Sequence, residues 1–185
     1  PNRISLVVAE LVNKKAGDNP HLWYEPATMP AVAKAVASAL SKADATHAGD
    51  YAARLKTVLE SLASVDKKVA QLRAKHAGTV VTATEPVFGY MAQALSLQMR
   101  NERFQLAVMN DTEPSAKDIA TFENDLKSRK VKLMLYNKQV AGKLTQRLLD
   151  IARKSHVPVV GVTETEPANT TFQNWMLEQL GDVEK

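Results

Sequence analysis

The chain of 185 residues contains no cysteine, which excludes disulfides, thiolate metal sites and thiol nucleophiles. Aromatic residues are only 5% of the total. The densest basic stretch, "LKSRKVKL" at 126–133, carries none on which bases could stack, so a nucleic-acid partner is not expected. Charge of either sign is nearly balanced, 24 Lys and Arg against 20 Asp and Glu, and scattered as on a solvated surface. No apolar run approaches the roughly 20 residues that cross a bilayer. The first residues lack the order of a signal peptide, but a chain that opens on Pro1 leaves its compartment open. Sequence signatures of zinc proteases, α/β-hydrolases, P-loop proteins and dinucleotide-binding folds are all missing.

What is present is enough apolar material, 45% of residues, to bury a core. "ISLVVAEL", 4–11, reads as a short buried strand or the start of a helix, followed by the polar loop "NKKAGDNPH". After Pro26, placed as a first-turn proline, Met29, Val32, Val36 and Leu40 recur at helical spacing to about Lys42. From about Asp50, Leu55, Val58, Leu62, Val65, Val69 and Leu72 keep one apolar stripe along a helix ending near His76 and Gly78. At about 25 residues that helix is a strut roughly 37 Å long. Three heptads are too few to favour a coiled coil.

Beyond Gly78 short strands and helices alternate. "TVVTA", "RFQLAVM", "VKLMLYN" and "VPVVGVT" read as strands; "PVFGYMAQAL", "SAKDIATFENDLKSR", "KLTQRLLDIARKS" and "TFQNWMLEQLGDV" read as helices, the second capped by Ser115. This predicts an α/β fold, a parallel sheet with helices on both faces joined to the long helix. Three segments follow: 1–26 as an entry loop, 27–77 as helices, and 78–185 as the sheet lobe.

In such sheets chemistry gathers beyond the carboxyl ends of the strands. There the sequence places Glu85, Asp111 with Glu113, and Glu164 with Glu166. Each has an ordinary explanation, since a Glu just before a helix is favoured by the helix dipole. His21 can equally bridge its loop to the next helix, and His47, His76 and His156 sit at expected helix ends. Trp23, Tyr24, Phe88 and Tyr90 are expected to pack the loop against the strut. Taken together, His21, Glu85 and Glu164 form a set suited to a divalent cation with mixed nitrogen and oxygen ligands. Paired carboxylates also serve glycoside hydrolysis, and the spacing does not favour either use.

The order of "NPHLWYEPATMPAVAKAVASAL", the strut, "VVTATEPVFGYMAQALSL", "NDTEPSAKDIATFENDLKSRKVKLMLYNKQV" and "VPVVGVTETEP" resembles the metal-binding substrate-binding proteins of bacterial ABC importers. The resemblance runs from about Asp18 to the end. It implies two α/β lobes joined by one backbone helix, a non-enzymatic role in capturing zinc, manganese or ferrous iron, and delivery to an ABC permease from the periplasm or the extracytoplasmic face of the membrane. It places His21 at a metal-ligand position, Glu85 where members have His or Glu, and Glu164 where they usually have Asp, with Glu166 as an alternative ligand. A carboxylate-rich set without a His-rich loop tilts the expectation toward manganese or iron, although zinc binds more tightly at most sites. It also implies that most of a first lobe, with one more histidine ligand, precedes this sequence. The chain is then expected to be a piece of a longer protein, binding metal weakly or not at all and dimerising through the surface left uncovered. The rivals are a metal-dependent hydrolase on the same residues, and an organic-solute binder or adhesin on the same scaffold.

Overall fold

The computed structural model describes residues 3–140 and 142–185. Twelve helices and strands follow one another, with short 3-10 turns between some of them: α1 (Val8–Leu11), α2 (Thr28–Ala43), α3 (Ala48–His76), β1 (Val80–Ala83), α4 (Gly89–Ala94), β2 (Gln98–Arg100), α5 (Glu102–Met109), α6 (Ala116–Lys127), β3 (Leu133–Asn137), α7 (Lys143–Lys154), β4 (Val159–Val162) and α8 (Phe172–Glu184). The strands form one parallel sheet in the order β2-β1-β3-β4, with Val81 beside Met99 and Leu133, and Leu135 beside Val160.

Both faces of the sheet are covered. Strands with apolar residues at successive positions have two faces to bury, and each face collects its own cluster. On one, Val65, Val69 and Leu72 of α3 meet Met91 of α4, Leu135 of β3 and Trp175, Met176 and Leu180 of α8. On the other, Phe104 of α5, Phe122 and Leu126 of α6 and Leu148 and Ala152 of α7 close over Met134. Ser115 caps α6 as expected, its hydroxyl accepting the Asp118 N–H at 3.1 Å.

The strut exists and is longer than its stripe indicated, 29 residues. Only its second half is buried, with Val65, Val69 and Leu72 in the sheet-lobe core and Leu62 at the edge of the groove toward α2. Its first half packs on α2, leaving Val36, Leu40 and Val58 about two-fifths exposed along an apolar groove. At its end Gly78, at φ 80°, turns the chain into β1, a conformation that glycine adopts without strain. Among the described residues no helix is long and apolar enough to cross a membrane.

Three sequence expectations need correction. "RFQLAVM" is helix α5, and the second strand is the three-residue "QMR" before it. Its apolar run hides a helical spacing: Phe104 is buried and Val108 four residues on packs on the same cluster, while Leu106 points to solvent. The left-handed Asn101, φ 61°, separates strand from helix. Asp111 and Glu113 therefore follow a helix, exposed, and do not sit at a strand end. Of the two readings of "ISLVVAEL", the helix start holds and the buried strand does not: Val8–Leu11 is helical, and Ile4 and Val7 are about half exposed. Finally, α2 starts at Thr28, so Pro26 precedes it and Pro30 is the proline of its first turn.

Candidate metal centre

His21, Glu85 and Glu164 arrive from three separate parts of the chain. Glu85 and Glu164 are each the second residue after a strand, β1 and β4. His21 opens the 3-10 turn Leu22–Tyr24 in the loop before α2. That loop is fastened to the sheet lobe by Tyr24, which is fully buried, edge-on to Phe88 and Trp175 at 5.5 and 5.7 Å. Its hydroxyl donates to Thr163 O at 2.6 Å, and burial holds its pKa above the ordinary value. Thr163 is gripped from two further sides, its N–H donating to Gln179 Oε1 and its hydroxyl accepting from Trp175 Nε1. The residue just before Glu164 is thus fixed. The aromatics anchor the loop as expected, though to the sheet lobe and its last helix more than to the strut.

Asn19 orients the histidine. Its amide nitrogen donates to Pro86 O at 2.7 Å, which leaves its Oδ1 as an acceptor for His21 N–H at 3.1 Å and Nδ1 at 2.6 Å. The imidazole proton therefore sits on Nδ1, and Nε2 turns a lone pair toward Glu164 Oε1, 3.5 Å away. His21 is 4% exposed. Burial lowers its pKa from 6.5, against the raising pull of Glu164, so the neutral imidazole is favoured and the pair is not an ion pair at neutral pH. Tyr90 steadies the same loop by donating to Asn19 O at 2.9 Å.

Glu85 joins through Asn137, the last residue of β3. The Asn137 amide nitrogen lies 3.0 Å from Glu164 Oε2 and 3.3 Å from Glu85 Oε2. Burial raises the Glu85 pKa from 4.5; the Asn137 hydrogen bond opposes this and the Glu164 charge adds to it. Among the described residues no three His, Asp or Glu side chains stand close enough together to be a formed metal cluster. His21 meets Glu164 directly, and among the described residues Glu85 is linked to Glu164 through Asn137. Glu166 is exposed, and no hydrogen bond or ion pair among the described residues joins it to the other three. The other histidines do lie at helix ends. Asn19, Asn137 and Gln179 escaped sequence reading. Only Asn137 left a signal, as a polar residue closing an otherwise apolar strand.

A neutral buried imidazole whose Nε2 faces the Glu164 carboxylate brings together a nitrogen and an oxygen of the kinds that divalent cations take. A match to the family described as "Zinc-uptake complex component A periplasmic" extends over residues 4–185. The chain belongs to that family. It is 30% identical over 151 residues to the zinc-binding protein AdcA of Streptococcus pyogenes serotype M3, covering 80% of this chain and 29% of AdcA. The chain thus spans under a third of that relative's length. Its fold is similar to that of the periplasmic zinc-binding protein TroA from Treponema pallidum, with TM-score 0.75 and 18% identity over 98% of this chain and 70% of TroA. It is also similar to FpvC from Pseudomonas aeruginosa in complex with Mn2+, with TM-score 0.68 and 17% identity over 89% of this chain and 61% of FpvC.

Proposed function

We propose that this chain belongs to a non-enzymatic, extracytoplasmic solute-binding protein that captures a divalent transition metal and hands it to an ABC permease. The observation that carries the reading is the His21 Nε2 lone pair, held toward Glu164 by the Asn19 bond to Nδ1, with Glu85 tied to the same carboxylate. His21, Glu85 and Glu164 are the proposed ligands. The cargo is zinc, manganese or ferrous iron; zinc in the names of two relatives and Mn2+ bound to a third support that range. A cation gathered by an entry-loop histidine and two strand-end carboxylates favours the arrangement in which they converge, a state that a permease can distinguish from the empty one. The family's description supports the periplasmic or outer-face location and the permease as partner.

The test is a melt of chelator-stripped protein with manganese, zinc or calcium, for the parent and Glu85→Ala. A ligand at 100 times its dissociation constant stabilises by about 2.7 kcal/mol. A rise with manganese or zinc, absent with calcium and lost in Glu85→Ala, is expected. Equal melting with and without every metal, at concentrations high enough to fill a weak site, would overturn the reading.

A further inference from the structure

Glu85 and Glu164 follow β1 and β4, which are not neighbours: β3 lies between them. Only a β3 residue is placed to bridge the two, and Asn137 does so. It is 1% exposed and every polar atom of its side chain is engaged. The amide nitrogen donates to Glu85 Oε2 at 3.3 Å and Glu164 Oε2 at 3.0 Å, while Oδ1 accepts the Gln139 N–H at 2.9 Å. The Gln139 side chain continues the chain of bonds. Its Oε1 accepts the N–H groups of Glu164 at 2.6 Å and Thr165 at 2.9 Å, and its Nε2 donates to Thr165 Oγ1 at 2.7 Å.

Two carboxylates that converge repel each other unless positive charge or donated protons lie between them. A lysine there would be a permanent rival to any cation. An amide offers two donated protons and no net charge, so it can steady the carboxylates and then yield to a metal. A third carboxylate at this strand end would be a hard ligand, shifting preference toward manganese, and would repel the other two when no metal is present. We propose that Asn137 is a positioning residue of this site: its amide holds Glu85 and Glu164 converged before the cation arrives, Gln139 fixes the Glu164 loop to it, and its neutrality sets the preference between zinc and manganese. The cation part rests on the function proposed above; the hydrogen-bonded spacer does not.

Two readouts separate them, made on the whole 185-residue chain with Asn137→Ala and Asn137→Asp. In metal-free protein, the backbone amides of Glu164 and Thr165 should exchange hydrogen at least tenfold faster in Asn137→Ala, with the Leu135 amide in β3 unchanged. In competition titrations with zinc and manganese, Asn137→Ala should weaken both at least tenfold, and Asn137→Asp should restore manganese and move the manganese-to-zinc affinity ratio at least tenfold toward manganese. Parental exchange and a parental metal ratio in both variants would overturn the proposal even if the parent binds metal well. Tighter binding in Asn137→Ala would also overturn it, since the amide would then be a competitor for the site. Faster exchange in Asn137→Ala with no metal bound by any protein, the parent included, would keep the spacer and refute the metal reading.

Discussion

Asn19→Ala tests the placement of His21 most directly. The substitution deletes three hydrogen bonds, to His21 N–H at 3.1 Å, to His21 Nδ1 at 2.6 Å and to Pro86 O at 2.7 Å. A typical bond contributes about 1 kcal/mol net, and a buried donor left without a partner costs about 1–3 kcal/mol. His21 is too enclosed for water to replace the lost acceptor freely, its side chain being 5% exposed. Some relaxation is expected, so the total is about 2–4 kcal/mol, a large share of a typical stability of about 5–15 kcal/mol. For a chain of this size that is a melting-temperature drop of roughly 5–15 °C. Urea unfolding of metal-free protein measures the energy, and nitrogen NMR of the imidazole reads the tautomer. With Asn19 gone, the proton should shift toward Nε2, where Glu164 Oε1 is the remaining acceptor. Asn19→Asp keeps an acceptor for His21 but sets an oxygen against Pro86 O, so it should fall between parent and Asn19→Ala. A loss below about 1 kcal/mol with the tautomer unchanged would refute this account of how the His21 imidazole is oriented.

Tyr24→Phe removes the bond to Thr163 O from a fully buried ring and should cost about 1–3 kcal/mol in urea unfolding; a neutral result would mean that the aromatic packing alone fixes the loop. Gly89→Ala would place a methyl 3.0 Å from Asn19 Nδ2, so it should disturb the His21 tautomer in NMR and lower unfolding stability by less than Asn19→Ala does; an unchanged imidazole spectrum would show that Asn19 yields freely. The site itself titrates in two opposed senses. The His21 value lies below 6.5, so its contribution to stability is complete above pH 6.5 and is lost as pH falls through the lowered value. The Glu85 value lies above 4.5, so its contribution is complete below pH 4.5 and is lost as pH rises through the raised value. Metal-free Glu85→Gln should therefore be more stable than the parent at pH 7 and equal to it at pH 4; a parent more stable at pH 7 would contradict the buried-carboxylate account. Glu184 bonds Lys68 and Lys75, and these lysines push its pKa down to about 2. Glu184→Gln should lower the urea midpoint at pH 7, and the gap should close as pH falls from 4.5 toward 2; a gap independent of pH would assign the loss to packing.

The sheet lobe was legible because its strands are short continuous apolar runs separated by helices with clear 3.6-residue spacing, and β1, β3 and β4 lie where those runs predict. The "RFQLAVM" segment misled because five of its seven residues are apolar, and only burial separates a strand from a helix that buries Phe104 but exposes Leu106. Glu85 and Glu164 were legible as strand-end carboxylates because parallel topology brings carboxyl ends to one side of a sheet. His21 was not placed by topology. What sets it there is Asn19 and Tyr24, whose partners Pro86 and Thr163 are 67 and 139 residues away in the chain. No local pattern records such a pairing. The two-fifths exposed Val36, Leu40 and Val58 likewise carry perfect helical spacing, and spacing alone does not say that part of the α2–α3 seam stays open.

The site is built against its own stability. Burial makes the imidazole harder to protonate and the Glu85 carboxyl harder to ionise, so at neutral pH the fold carries a half-buried carboxylate whose charge it disfavours. The loop itself does not depend on the glutamates for its place, since Tyr24, Trp175 and Gln179 hold it through other bonds. A Glu85 charge that burial disfavours is the pattern expected of a functional site and supports the reading proposed above. Under the proposed function a divalent cation would reverse the sign of that cost: it would remove the repulsion between Glu85 and Glu164, take the unprotonated His21 as a ligand, and turn the burial that penalises the metal-free site into shielding from water. On the proposed reading, the destabilisation of the metal-free site and the affinity for metal have one physical origin. Substitutions that relieve the first, Glu85→Gln foremost, should forfeit the second.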